Sequence, residues 1–295
     1  MIASPQEIDG AEVAAHYDAL DHFYRDVWGE HVHHGWWSRG DETRAEALRA
    51  LVEMVAARAR IGQGMRVCDI GSGYGATARM LAEEFGAEVT AITISPAQHA
   101  FAGGRGGGAS NPRYLLGDWL RNELPDAFFD AALAIESSEH MPDKAAFFAQ
   151  AHRVLRPGGR LVVCAWLSAD APGPRARRWL LEPICGEGRM PHLGTFADYE
   201  RLAEAAGFAV EAVEDGSRQV ARTWPLIVLT FAAKLLRQPA CARFLFHAHA
   251  RNRVFARTIF RIHLAHRTGA LRYGVFTLRK PEPPTILRGL ADGAT

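Results

Sequence analysis

Two neighbouring ionisable residues, Glu139 and His140, could carry out acid–base chemistry in this chain. A histidine has an unperturbed pKa of about 6.5, so at neutral pH His140 could remove a proton from a phenol or an amine. Glu139 could act as that base itself, or it could orient His140. Both follow the apolar run at residues 128–135, and α/β proteins bind ligands where such strands end. The structural alternative is that the pair caps a helix starting near Pro142.

A glycine-rich segment follows the apolar run at residues 65–70, and it could bind a nucleotide-like cofactor. The segment reads Gly71-Ser72-Gly73-Tyr74-Gly75, and glycine lets the backbone turn tightly and approach a ligand closely. Asp69, two residues before it, would face an amino-acid or ribose group better than a pyrophosphate. Ala76 replaces the third glycine of the dinucleotide fingerprint, which known variants allow. Alone the loop is a weak signal, because dinucleotide sites and many tight turns share it.

Three motifs downstream of this loop make the signal specific through their order. They are Gly117-Asp118-Trp119, Phe129-Asp130-Ala131 and Arg156-Pro157-Gly158-Gly159-Arg160-Leu161. Together with the glycine loop they resemble class I S-adenosylmethionine (SAM)-dependent methyltransferases over roughly residues 65–166. The resemblance implies SAM as the cofactor, S-adenosylhomocysteine as its product, and direct transfer of a methyl group to a small-molecule acceptor.

The same resemblance implies roles for individual residues. Gly71 and Gly73 would pass under the methionine moiety, and Asp118 would accept a hydrogen bond from the adenine amino group. The other residues that it places around the cofactor are Tyr17 at the methionine carboxylate, Asp69, Ser72, Ile94, Gly117, Trp119 and Glu136.

The end of the second predicted strand departs from the usual family pattern. Most members have an acid there that holds both ribose hydroxyls, whereas this chain has Thr93. Gln98 would replace the acid as the hydroxyl partner, unless it is only an exposed helix residue. The missing acid and the LRPGG motif argue against an NAD-dependent oxidoreductase. The T-x-S-x-x-Q pattern resembles the sterol, tocopherol and cyclopropane-fatty-acid branch of the methyltransferases.

Two longer segments resemble the γ-tocopherol C-methyltransferase group: WGEHVHHGWW at residues 28–37 and ESSEHMPDK at residues 136–144. An insert before a strand ending at residues 279–281 is also similar. The resemblance implies a small apolar acceptor, phenolic or isoprenoid-derived, methylated on carbon. The alternatives are N- or O-methylation of an aromatic natural product, cyclopropanation, and SAM binding without catalysis.

The aromatic and histidine-rich N-terminal segment is predicted to form a lid. Trp36 and Trp37 would cover the cofactor, and together with His34 and Trp166 they would line the acceptor pocket. His33 and His34 could also be metal ligands by spacing alone. Because no acid or cysteine cluster accompanies them, we expect no metal.

Alternating strands and helices would position these residues. A helix from Glu42 to Arg60, with Asp41 as its N-cap, precedes them, and Ser95 would cap a later helix. A turn is expected at residues 156–159. The alternation predicts an α/β, Rossmann-like, doubly wound and mostly parallel sheet of seven strands with helices on both faces. The predicted strands lie near residues 65–70, 88–94, 113–119, 128–135, 160–167, 209–217 and 273–281.

Four regions are expected along the chain. Residues 1–40 would form the lid, and residues 41–217 the SAM-binding core with a loop insertion at 168–194. Residues 218–270 would form a helical basic cap inserted before the last strand. Residues 271–295 would supply that strand and a tail.

Charge and composition limit the classes of partner that the chain is expected to bind. The 295 residues include 34 Lys and Arg against 33 Asp and Glu, so nothing global demands a nucleic-acid partner. No acid occurs between Ser217 and Lys280. This block mixes arginines with aromatic and aliphatic residues, which suits an anionic membrane surface; the alternative is a solvated helix face. The residues in question include Arg253, Arg257, Arg261, Phe244, Phe246, Phe255, Ile259, Phe260 and Ile262.

The expected location is the cytoplasm, with peripheral membrane association if the basic cap docks on lipid. No apolar run approaches the ~20 residues that span a bilayer, and no secretory signal opens the chain. Four widely spaced cysteines without a CxxC pair favour reduced thiols.

Overall fold

A computed structural model describes residues 1–105, 110–237 and 250–283. Part of the predicted basic cap, with Phe244 and Phe246, lies outside the described residues, as do Cys241, the tip of the glycine-rich turn and the C-terminal tail. The side chains of Arg253 and Phe255 also lie outside them.

A mixed seven-stranded sheet forms the centre of the protein, as the sequence predicts. The strands are β1 (Ile2–Ala3), β2 (Arg66–Ile70), β3 (Glu88–Thr93), β4 (Arg113–Leu116), β5 (Phe129–Ile135), β6 (Leu155–Ser168), β7 (His192–Leu193), β8 (Ala209–Asp215) and β9 (Leu271–Arg279). The order in the large sheet is β4-β3-β2-β5-β6-β9-β8. Neighbouring strands are parallel except at β9, which runs antiparallel to β6 and β8. A separate antiparallel pair joins β1 to β7.

Helices cover the sheet and connect its strands. They are α1 (Gly10–Ala19), α2 (Asp21–Val27), α3 (Arg44–Ala59), α4 (Ala76–Phe85), α5 (Pro96–Arg105), α6 (Lys144–Val154), α7 (Pro174–Ala176), α8 (Glu182–Glu187), α9 (Phe196–Ala205), α10 (Ser217–Val220), α11 (Thr223–Arg237) and α12 (Ala250–Arg267). A π-helical turn, Arg177–Leu181, joins α7 to α8, and 3-10 turns form at Trp119–Arg121 and Ser138–His140.

Apolar residues explain why the layers pack. Strand β5 is buried along nearly its whole length, as expected for a parallel strand covered on both faces. One core cluster joins the sheet to α6 and α9, and another joins it to α3 and α4. A third cluster, around Trp28, Trp224 and Ile259, holds the N-terminal helices against α11 and α12.

Three local predictions are wrong. Helix α3 is capped by Thr43, which forms a capping box with Glu46, so Asp41 is not the N-cap. The expected turn at residues 156–159 lies inside β6. The expected loop at 168–194 is largely helical, because Leu181, Ile184 and Cys185 are fully buried against the cap and tertiary packing overrides the Pro- and Gly-rich composition. The prediction that Ser95 caps a helix is confirmed, because its Oγ accepts a hydrogen bond from the backbone N–H of Gln98.

No helix within the described ranges is long and apolar enough to cross a membrane.

Candidate active site

Two adjoining cavities lie beside the carboxyl ends of strands β2, β3, β4 and β5. The first, here called the strand-end cavity, is lined by residues that include Gly71, Gly73, Thr93, Ile94, Gln98, Gly117, Asp118 and Trp119. The second, here called the aromatic cavity, is lined by residues that include Tyr24, Trp28, His34, Glu139, Trp166, Met190, Trp224, Ile259 and Ile262. Tyr17, Val32, Glu136 and His140 line both cavities, and we call these four residues the window.

The glycines of the loop after β2 have two different functions. A Cβ atom on Gly71 would lie 2.3 Å from the Cβ of Ser137, and its φ is +78°, so the fold itself requires glycine there. A Cβ on Gly73 would meet only Gln98 Nε2, at 4.0 Å. Gly73 therefore keeps the cavity wall open rather than relieving a packing clash.

The polar side chains of the strand-end cavity leave specific atoms unused. The Thr93 hydroxyl donates to Gln98 Oε1 at 2.8 Å, and both residues are buried. Within the described ranges, the Gln98 amide nitrogen makes no hydrogen bond. Asp118 Oδ1 accepts from the Leu120 amide at 2.9 Å, and Asp118 Oδ2 has no such partner there. Trp119 lines the cavity, but its indole donates to the Phe147 carbonyl and anchors the ring in the core.

Asp69 and Ser72 lie behind the loop instead of in the strand-end cavity. They line a smaller adjoining cavity with His31 and His33. Asp69 Oδ2 and Ser72 Oγ are buried without a hydrogen-bond partner among the described residues. Burial raises the pKa of Asp69 to about 7. These unpaired oxygens fit the ammonium group of an amino-acid moiety, which would supply the missing donors.

Helix α1 closes the strand-end cavity from above. Asp18 accepts hydrogen bonds from Ser95 Oγ at 2.5 Å and from the Ala97 amide at 3.1 Å. A Cβ on Gly10 would lie 3.0 Å from the Ile94 side chain and 3.8 Å from Asp118 Oδ2. Neither Gly10 nor Asp18 could be recognised in the sequence, because nothing local to the lid shows where it docks.

Trp36 and Trp37 do not cover the cofactor site, contrary to the prediction. Neither lines either cavity among the described residues. The Trp37 indole donates to Thr223 Oγ1 at 3.2 Å, and Trp36 packs against Gly216 and Tyr273. Their large apolar surfaces are better buried in the core than left at the rim of a ligand cavity.

His140 is positioned by a backbone carbonyl and not by Glu139. Its Nδ1 lies 3.0 Å from the Arg189 carbonyl, which can only accept, so Nδ1 carries the proton. Its Nε2 lies 2.9 Å from the Tyr17 hydroxyl and accepts from it. Burial lowers the pKa of His140 to about 4 and raises that of Tyr17 well above its usual value. His140 is thus neutral at pH 7 and a weak base.

Glu139 faces the aromatic cavity and has the protonation properties of a base at neutral pH. Its Oε1 accepts from the Trp166 amide at 2.5 Å, and its Oε2 accepts from Ser138 Oγ at 3.2 Å. The side chain is almost fully buried, and burial raises its pKa to about 7. The expected orienting contact from Glu139 to His140 is absent within the described ranges.

Glu136 is the centre of a buried network that the sequence did not reveal. Its carboxylate accepts from the His34 amide at 2.8 Å and from His34 Nδ1, Trp166 Nε1 and the Tyr273 hydroxyl, each at 2.9 Å. Trp224 Nε1 donates to His34 Nε2 at 2.7 Å. Burial alone would raise the pKa of Glu136, but interactions with His34 lower it to about 2. The network joins the lid, the sheet and the cap.

No group of three or more His, Cys, Asp and Glu side chains suited to a metal ion occurs in the part of the chain that the structure describes.

The sheet order, the glycine loop and the cavities at the strand ends define a Rossmann-like, SAM-dependent methyltransferase. The chain belongs to the mycolic acid cyclopropane synthetase family, whose model matches residues 5–237, and its cofactor is SAM. The family membership inferred from the sequence motifs is thereby confirmed.

Individual relatives differ in the reactions that their names state. The 27-O-demethylrifamycin SV methyltransferase of Amycolatopsis mediterranei is 32% identical over 92% of this chain and 97% of its own length. The probable tocopherol O-methyltransferase of Oryza sativa subsp. japonica is 31% identical over 73% of this chain, which spans 64% of the rice protein. The cyclopropane synthase MmaA2 of Mycobacterium tuberculosis shares the fold, with a TM-score of 0.81, 23% identity and coverage of 94% of this chain and 100% of that one.

Proposed function

We propose that this enzyme methylates a ring carbon of a phenolic acceptor that carries a large apolar part. The position of Glu139 carries the proposal. This carboxylate borders the aromatic cavity but not the strand-end cavity, so it lies behind the window. A phenol whose hydroxyl is held at Glu139 would present a ring carbon, and not its oxygen, to the window.

The cofactor would occupy the strand-end cavity. Two polar atoms of this cavity are unused: Asp118 Oδ2 suits the adenine amino group, and the side-chain nitrogen Nε2 of Gln98 suits a ribose hydroxyl. Gly73 would let the backbone approach the methionine moiety, while Asp69 and Ser72 would meet its ammonium group. Bound there, SAM supplies an electrophilic methyl group.

The chain's own residues would activate and align the acceptor. Glu139 would take the phenolic proton, which pushes electron density onto the ring carbons and makes one of them the nucleophile. The new carbon–carbon bond would form as the carbon–sulfur bond breaks, which leaves a dienone. Release of the ring proton to water and return of the proton from Glu139 to the oxygen would restore the aromatic phenol. Tyr17 and His140, fixed by their mutual hydrogen bond, would align the ring at the window and exclude water.

The aromatic cavity suits the apolar part of such a molecule. Its walls combine Trp28, Trp224, Met190, Ile259 and Ile262 with polar side chains near the window, and apolar atoms supply most of its lining surface. An aromatic ring and an isoprenoid chain both gain from burial against such a surface.

O-Methylation is the second candidate. The names of the Amycolatopsis and rice relatives state an oxygen acceptor. The hydrogen-bonded pair of Tyr17 and His140 lies at the window itself and could receive a hydroxyl there. The lowered pKa of His140 makes it a poor base for this purpose, which is why carbon is preferred.

One experiment separates the two candidates. The enzyme is incubated with methyl-¹³C-labelled SAM and a panel of prenylated hydroquinones, simple phenols and aromatic amines, and the products are examined by NMR. A ring-bound methyl signal on the prenylated hydroquinones is the expected result. A methoxy signal would select O-methylation, an N-methyl signal an amine acceptor, and turnover restricted to acceptors without an apolar chain would contradict the assigned cavity.

We also propose that the enzyme is located in the cytoplasm and contacts anionic membranes peripherally through α11, α12 and the π-helical turn. Trp179, Leu229, Phe260 and Leu264 are large apolar residues exposed on these elements, which pack together. Arg257 is exposed on α12 nearby, and the block from Ser217 to Lys280 contains no acid.

Flotation with phosphatidylglycerol liposomes should recover the protein, and the double change F260S/L264S should weaken recovery. Equal recovery with neutral liposomes, or none with anionic ones, would contradict the proposal.

A further inference from the structure

The window contains a buried negative charge for which the described residues supply no cation. The Glu136 side chain is only 7% exposed, and the four hydrogen bonds donated to its two oxygens favour the ionised carboxylate. Its hydrogen-bond donors are one backbone amide, one indole, one phenol and the His34 ring. No lysine or arginine within the described ranges bonds to this carboxylate.

The hydrogen bonds of His34 show that its ring is neutral. An indole N–H can only donate, so the bond from Trp224 Nε1 requires an unprotonated Nε2 on His34. The proton of His34 therefore lies on Nδ1, facing Glu136 at 2.9 Å. The contact between His34 and Glu136 is a hydrogen bond to a carboxylate and not an ion pair.

Several titratable groups around the window supply no positive charge to Glu136. Burial lowers the pKa of His33 and of His140, and both rings have a nitrogen beside a backbone carbonyl. Burial raises the pKa of Tyr17 and Tyr273, which keeps their hydroxyls protonated. The buried ammonium of Lys144 donates to the carbonyls of Glu139 and Met141 and not to the Glu136 carboxylate.

The backbone of Glu136 is strained, which indicates that the fold imposes the position of this carboxylate. Glu136 has a φ of +53°, in the left-handed region that favours glycine. Such conformations are strained in residues with a Cβ, and they persist at sites where the surroundings impose them. A buried charge is also unfavourable without a counter-ion.

We infer that Glu136 is the counter-ion of the sulfonium group of SAM, and that it thereby selects the charged cofactor over its neutral product, S-adenosylhomocysteine. The two ligands share every contact except the charge and the methyl group at the window. A carboxylate there stabilises only the first, which favours exchange of product for fresh cofactor. The inference depends on the cofactor and not on the acceptor, so failure of every acceptor in the labelling experiment would leave it standing.

Isothermal titration of SAM and S-adenosylhomocysteine tests the inference without turnover. The measured quantity is the ratio of the two dissociation constants, which cancels contacts common to both ligands. Glu136→Gln should lower the preference for SAM by about tenfold or more. Glu139→Gln removes a neighbouring carboxylate that does not border the strand-end cavity, and it should leave the ratio unchanged. Equal weakening of both ligands in Glu136→Gln would show a structural role only and overturn the inference.

A second pair of variants keeps the inference testable if Glu136→Gln does not fold. Glu136→Asp keeps the negative charge at this position, and Glu136→Ala removes it. The preference for SAM should be largely retained in Glu136→Asp and should fall by about tenfold or more in Glu136→Ala. The same ratio of dissociation constants in both folded variants would contradict the counter-ion role.

Discussion

The two cavities are built in different ways. The strand-end cavity is formed mainly by short connections that directly follow β2, β3, β4 and β5, and helix α1 closes it. The aromatic cavity takes its wall from the N-terminal segment, β6, the segment after α8, α11 and α12. The sheet therefore dictates the first cavity, while the second depends on how separate segments pack over the sheet.

This difference teaches where specificity can change. Parallel strand ends meet at one edge of a sheet whatever their side chains are, so a cofactor site there survives wide variation in sequence. The segments around the aromatic cavity are long-range additions held by side-chain contacts. Changes in them can alter the acceptor while the cofactor site stays intact, in keeping with the different reactions stated by the relatives' names.

The largest effect is expected for Glu139→Gln, which should impair methylation of the acceptor in the aromatic cavity and leave SAM binding in the strand-end cavity intact. The loss of the base should reduce kcat/KM by about 10²- to 10³-fold for a phenolic acceptor. Because the pKa of Glu139 is raised to about 7, wild-type kcat/KM should rise with pH through about 7 as the carboxyl ionises. Steady-state rates from pH 5.5 to 8.5 should show this rise in the wild type and not in the variant. Loss of SAM binding in the variant would contradict the separation.

The next effect is expected for Gly71→Ala, which attacks the strand-end cavity through the fold. The new methyl group would overlap Ser137 in a left-handed backbone conformation, and the free energy of unfolding should fall by about 3 kcal/mol. Gly73→Ala is the matched control: its φ is also positive, at +54°, but it lacks the clash, so about 1 kcal/mol is expected. Urea denaturation measures both. Equal losses of unfolding free energy in the two variants would show that the positive φ alone, and not the overlap with Ser137, requires glycine at position 71.

Sequence reasoning succeeded where local chemistry determines structure. The positions of the strands and the mostly parallel sheet follow from alternating apolar runs and helices, and the Ser95 cap follows from Ser95-Pro96 at a helix start. The same local logic brings Thr93, Gln98 and Asp118 to one cavity. Each prediction needed only the end of a strand and the residues directly after it.

The same reasoning failed where distant segments meet. Glu136 lies 102 positions from His34 and 137 from Tyr273, and His34 lies 190 positions from Trp224. No periodicity or spacing encodes such pairs, so the sequence places Glu136 beside the cofactor but does not predict the network around it. The wrong prediction for Trp36 has a related reason: an aromatic residue in a lid segment has the same sequence pattern whether it faces a ligand or the core.

Asp118→Ala should produce a medium effect confined to the strand-end cavity. Loss of the carboxylate proposed to hold the adenine amino group should weaken SAM and S-adenosylhomocysteine alike by about tenfold to thirtyfold. Titration calorimetry measures both constants. Equal weakening distinguishes Asp118 from Glu136, whose replacement should affect SAM selectively. If Asp118→Ala bound both ligands with wild-type affinity, the proposed adenine contact would be wrong.

The smallest effect is expected for Glu187→Gln, which loosens the aromatic cavity without touching the sheet. Glu187 accepts from Thr258 Oγ1 at 2.5 Å and pairs with Arg261, so it ties α8 to α12 beside the cavity. The ion pair is partly buried, and its loss should cost about 1 kcal/mol of unfolding free energy. The KM of the acceptor should rise a few-fold, because the wall carrying Ile259 and Ile262 is less firmly held, while the dissociation constant of SAM stays unchanged.

Glu182→Gln is the control for that prediction, since it lies on the same helix and pairs with Arg177 on the surface. An exposed pair is worth little, so neither stability nor KM should change measurably. If Glu187→Gln weakened SAM binding as much as acceptor binding, the two cavities would be coupled through the cap. The cavity dictated by the sheet and the cavity assembled from distant segments would then not be independent, and the contact between α8 and α12 would be the place where they are coupled.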